Sequence, residues 1–123
     1  LIKRAILKAS SEVEVEWTRD GMEALISMGK NQPDLVILDV VMPVIDGSKV
    51  LATLRNDPQT RKIKVIGITG KRLPPEKMKF MEDHTDALYL KPFDLNELVR
   101  KSITLLGARR PSEFAGASLS LAR

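Results

Sequence analysis

The chain has 123 residues, of which 43% are hydrophobic and 29% charged, with a net charge of +4. That length suits one domain with a core of its own. No apolar run approaches the roughly 18 residues of a membrane span, and no secretory leader is recognised. The absence of cysteine excludes disulfides and thiolate metal sites. The single histidine, His84, argues against a His-rich metal site or a histidine triad. Part of the basic excess is local, at Arg109, Arg110 and Arg123. A balance this small does not mark a nucleic-acid binder. A cytoplasmic location is expected, with neither membrane nor direct nucleic-acid contact. Residue 1 is Leu. The expectation is a fragment, a processed product, or a sequence lacking its start.

Leu1, Ile2, Ala5, Ile6 and Ala9 recur at helical spacing and predict the later part of an amphipathic helix. Val13, Val15 and Trp17 alternate with Glu12, Glu14 and Glu16, which predicts a half-exposed edge strand. Asp20 can cap a helix reaching about Gly29, with Met22, Leu25, Ile26 and Met28 as its apolar set. Asn31-Gln32-Pro33 is a turn. Leu35-Val36-Ile37-Leu38 is apolar without alternation, as in a strand covered on both faces. A helix is predicted from about Gly47 to Arg55, stopped by Asn56-Asp57-Pro58. Ile63, Val65, Ile66 and Ile68 predict a second buried strand, ending at Thr69-Gly70. Pro74-Pro75 open a helix to about Asp83. Ala87 to Leu90 is a short strand, and Lys91-Pro92 follow. Asp94 begins the last helix, striped by Leu95, Leu98, Val99, Ile103, Leu105 and Leu106 and stopped by Gly107.

Helices and strands thus alternate, which predicts an α/β fold with a parallel sheet covered on both faces. The domain is expected over residues 1–107. Residues 108–123, rich in Ala, Ser, Gly and Arg, are expected to be a tail, disordered or foreign to the domain.

Asp39, Thr69, Lys91 and the backbone around Val41 stand at the carboxyl ends of three predicted strands. In a parallel sheet those ends meet on one edge, where open α/β folds put their chemistry. A carboxylate there can attack a phosphoryl group, while an ammonium and a hydroxyl stabilise the added oxygens. Taken singly, Asp39 could satisfy loop amides, Thr69 could be an ordinary strand residue, and Lys91 a solvated charge. Their joint position at equivalent strand ends favours a site. Trp17, the stripe Met78, Phe80 and Met81, and the glutamates at 12, 14 and 16 read as packing or solvated surface.

The chain resembles the receiver domain of two-component response regulators. The resemblance rests on five segments in order: Asp20-Gly21-Met22-Glu23-Ala24-Leu25, Pro33-Asp34-Leu35-Val36-Ile37-Leu38-Asp39, Met42-Pro43 with Asp46-Gly47, Ile68-Thr69-Gly70, and Leu90-Lys91-Pro92-Phe93. It implies the flavodoxin-like doubly wound sheet, three layers α/β/α, with strand order 2-1-3-4-5. It also implies that Asp39 accepts phosphate from a sensor histidine kinase or phosphotransfer protein. Thr69 would bond the phosphoryl group and Lys91 would pair with one of its oxygens. Asp39 and the carbonyl of Val41 would ligate Mg2+, and Lys91-Pro92 would be cis. Such a domain is a signalling element rather than a metabolic enzyme. Its output protein or domain would engage the face built by residues 75–106, which carries Lys77 and Lys79.

Three departures qualify the resemblance. The usual first strand, with the acidic pair that holds the cation, is not seen before Glu12, so the central slot of the sheet needs an occupant. That strand is expected to lie outside these 123 residues; the alternatives are a strand swapped from a partner chain, or insertion of Ala117 to Ala122. Leu88 stands where an aromatic switch residue is usual, with Tyr89 beside it. Gly70 stands where alanine is common. The rival functional expectation is a phosphorylation-independent interaction domain of receiver shape. A phosphatase using Asp39 as nucleophile would want a second acid two residues on, where Val41 stands.

Overall fold

The computed structural model describes residues 2–9, 14–18, 21–30, 32–40, 46–70, 72–107 and 118–122. Its elements run α1 Ile2–Ala9, β1 Glu14–Thr18, α2 Gly21–Lys30, β2 Leu35–Asp39, α3 Gly47–Asn56, β3 Lys64–Thr69, α4 Pro75–His84, β4 Ala87–Leu90, α5 Leu95–Leu105 and β5 Ser118–Ala122. The predicted alternation is therefore present, with boundaries moved by a residue or so. One element is additional: β5 lies in the stretch read from sequence as a tail.

All strand pairs are parallel, and the sheet order is β1-β5-β2-β3-β4. The last strand of the chain thus fills the central slot, between β1 and β2. With β5 in the slot expected for the first strand, the order is the doubly wound one of the flavodoxin-like fold. In the structure of these 123 residues the slot holds the segment ending at Ala122, one of the expected occupants. The physical reason is the backbone: without β5, both β1 and β2 would turn a row of unpaired amides and carbonyls into the interior. β5 pairs with both, Ser118–Ala122 against β1 and Leu119–Ala122 against β2. β1 and β4 are the edges, as the acidic alternation of β1 suggested.

Strand side chains alternate between faces, and the core divides accordingly. Val36, Leu38 and Val65 pack with Ala24 and Met28 of α2, Val50, Leu51 and Leu54 of α3, and Met81 of α4. Leu35, Ile37, Ile66 and Ile68 pack with Ile6 of α1 and Leu98 of α5. Residues 35–38 are buried throughout, as their unbroken apolar run required. Gly107 closes α5 with φ 103°, a left-handed conformation that glycine adopts without Cβ strain.

Candidate functional site

The register brings the three candidate side chains to one edge. Asp39 ends β2 and pairs with Ile68, so Thr69 lies one step beyond it on β3. Thr69 pairs with Leu90, so Lys91 lies one step beyond the end of β4. The Lys91 amide donates to the Thr69 carbonyl at 2.9 Å, and the Val40 amide to the Ile68 carbonyl at 2.8 Å. These bonds extend both ladders past the strand ends and hold the edge rigid. Lys91 Nζ lies 3.0 Å from Asp39 Oδ2. The Asp39 side chain is 14% exposed, against 44% for Lys91. Thr69 is fully buried. The Lys91–Pro92 bond is cis, as the resemblance implied. Val41 lies outside the described residues.

Asp46 and Gly47, read from sequence only as part of a motif, also build the site. Asp46 caps α3: its Oδ1 accepts from the amides of Ser48 at 2.9 Å and Lys49 at 3.2 Å, and from Ser48 Oγ. Its Oδ2 receives Lys77 Nζ from α4 at 3.3 Å. Gly47 donates to the Val40 carbonyl at 2.8 Å. A Cβ there would stand 2.6 Å from the Asp39 carbonyl oxygen. The start of α3 therefore rests directly on the backbone of Asp39. An N-cap residue followed by glycine at the head of a helix was the available sequence signal.

Burial works to raise the Asp46 pKa, but the bonds from Ser48, Lys49 and Lys77 together outweigh it and hold the carboxyl below its usual value. A carboxyl depressed in the folded state adds stability at pH above its ordinary value of 3.8, and that stability is lost as pH falls through the depressed value. Lys77→Ala is expected to move the Asp46 carboxyl back upward, read by NMR titration, and to soften the loss of stability in acid.

Leu88 and Tyr89 face opposite ways. Leu88 packs toward Met81 and the α3–α4 side, while Tyr89 packs with the α1–α5 cluster. Burial, then the nearby Glu97 charge, push the Tyr89 phenol up. The tyrosine next to the usual switch position therefore does not replace it. Among the described residues, a Cβ at Gly70 would meet only Lys91 Cδ, at 3.5 Å. Gly70→Ala is expected to leave stability within about 0.5 kcal/mol, as for surface changes without a named strain, in a urea titration.

The family profile of the response regulator receiver domain matches residues 2–102. The chain belongs to this family. Over 107 residues it is 35% identical to the response regulator MprA of Mycolicibacterium vanbaalenii, covering 87% of this chain and 46% of that one. The receiver domain of the Francisella response regulator 1452 superposes with TM-score 0.68 at 27% identity, over 85% of this chain and 86% of that one. The phosphorylated cyanobacterial phytochrome response regulator RcpA gives 0.69 at 28% identity, over 81% and 76%. The chain spans about half the length of the curated relatives it matches.

Receiver domains generally bind Mg2+ at an acidic site; the donor set among the described residues fits such an ion poorly. Among the described residues, no three His, Cys, Asp or Glu side chains group so as to hold a metal ion. Asp39 is joined to an ammonium, and Asp46 is engaged by its cap and Lys77. A hard dication wants several oxygen donors, with carboxylates among them.

Proposed function

We propose that this receiver domain is a phosphorylation-controlled switch in which Asp39 accepts a phosphoryl group from a sensor histidine kinase or phosphotransfer protein. The observation that carries the reading is the Lys91 Nζ contact to Asp39 Oδ2 at 3.0 Å, with Thr69 on the strand between them. An Asp39 oxygen attacks phosphorus. The P–N bond of the phosphohistidine donor breaks, its electron pair returns to the imidazole, and an acyl phosphate remains. The Lys91 ammonium neutralises charge on the phosphoryl oxygens, and the Thr69 hydroxyl donates to one of them. Phosphorylation of RcpA, a relative of the same fold, adds support.

The signal then leaves through α4, β4 and α5. Lys91 follows β4 directly, and Lys77 ties the first turn of α4 to Asp46. Drawing Thr69 and Lys91 toward a phosphoryl group biases these elements between two packings. An output protein or domain reads that face. Lys79 is paired with Asp83 on the surface of α4 at 3.4 Å, so Lys77 and Lys79 are not a bare basic patch.

The test is incubation with a small phosphodonor and intact-mass measurement, beside Asp39→Asn. A phosphate-sized gain lost in the variant is expected. A folded protein that gains nothing would contradict the reading and leave a receiver-shaped interaction domain.

A further inference from the structure

The register of β5 decides what can sit beside Asp39. Across the sheet, the row one residue below the acceptor reads Thr18, Ala122, Leu38 and Gly67. None of the four carries a carboxylate. Glu16 pairs with Ser120, which pairs with Val36. Its Cα row is three residues below Asp39, about 10 Å at the strand rise. The sequence continues from Ala122 to Arg123, a cation. Among the described residues, Asp46 is a further carboxylate near this edge, and it is committed to Ser48, Lys49 and Lys77.

Charge follows from this row. Asp39 and Lys91 sum to zero across 3.0 Å. Among the described residues, a dication entering there meets the Asp39 carboxylate beside the Lys91 ammonium, with no group of three carboxylate or imidazole side chains to offset its lost hydration. An arriving phosphoryl group meets an ammonium already in place.

We infer that the acceptor edge of this chain works without a bound divalent cation, Lys91 supplying the positive charge, and that the uncharged residue Ala122, which ends β5, contributes to this. The inference builds on the reading of Asp39 as phosphoacceptor. Cation binding is nevertheless measured on the unphosphorylated chain, so failure of phosphate uptake leaves its outcome untouched. The site is distinguished by what β5 omits, and placing acids at Ala122 and at the next position in the sequence should create cation binding.

The probe is Mn2+, followed by water-proton relaxation, with far-UV circular dichroism on every variant. The chain and Asp39→Asn are expected to bind Mn2+ alike, without a saturable Asp39-dependent site. Ala122→Asp with Arg123→Asp is expected to bind about tenfold tighter or more, because oxygen-donor affinity climbs with ligand charge count. Adding Asp39→Asn to that pair is expected to abolish the gain. Ala122→Asp alone serves if the pair does not fold, and a smaller gain is expected. Saturable binding by the original chain that Asp39→Asn removes would overturn the inference. So would a folded acidic variant with no gain.

Discussion

Gly47→Ala is expected to destabilise the domain by about 1–3 kcal/mol, the range for overpacked interiors. On helix propensity alone the change should help, since Ala exceeds Gly by about 1 kcal/mol within a helix. Sterics decide against it. The new Cβ would lie 2.6 Å from the Asp39 carbonyl oxygen and 2.7 Å from the Val40 Cα. Both are backbone atoms, so no flexible side chain can swing aside. Either α3 lifts from β2 or the end of β2 shifts. In both cases Asp39 moves relative to Lys91, and phosphate uptake should fall together with stability. The check is a urea titration, with a lower midpoint at unchanged slope. A midpoint equal to or above that of the original chain would show that the helix start does not rest on the Asp39 backbone.

Arg55→Ala is expected to cost about 2–3 kcal/mol, since hydrogen bonds from a charged group each contribute more than neutral ones and are not additive. Arg55 leaves the last turn of α3 and holds three separate segments. Its Nη1 donates to the carbonyls of Arg61 at 2.7 Å and Ile63 at 2.6 Å, and its Nε to His84 at 2.8 Å. Its Nη2 lies 3.4 Å from Asp86 Oδ2, which also accepts from the Val65 amide at 2.8 Å. The guanidinium therefore fastens the entry to β3, the end of α4 and the entry to β4 to one helix. At 18% exposure it is screened less than a surface pair. Arg55→Lys should recover only part of the loss, because an ammonium cannot reproduce the planar fork. A double-mutant cycle with Asp86→Ala separates the ion pair from the carbonyl bonds. A loss below 0.5 kcal/mol, the ordinary surface value, would contradict the clamp.

Arg55 also shows where reading the sequence stops. Its partners lie 6 to 31 residues away, and nothing local marks the side chain as shared. The Asp46–Lys77 pair was hidden for the same reason, since it joins a loop to a helix beyond β3. Asp39, Thr69 and Lys91 were legible because each closes an apolar run, and a parallel sheet sends all such ends to one edge. The direction of Tyr89 was not, because a single residue of register exchanges the faces of a strand. Ser118 to Ala122 could be read as a possible strand from the alternation of Ser and Leu. Alternation suits a half-covered strand, whereas the structure gives this segment a central place. That placement follows from the two open edges of β1 and β2, which belong to the whole sheet and to no local stretch of sequence.

Closure of the sheet by Ser118–Ala122 underlies both the geometry around Asp39 and the row without carboxylates beside it. Native-state amide hydrogen exchange across Ser118–Ala122 tests it most directly. The amides of β5 that bond into the ladders are expected to be protected to about the level of Leu35–Asp39, because strands paired on both sides open only with the core. Exchange of the whole segment at unprotected rates, in a chain whose β2 amides stay protected, would contradict the account.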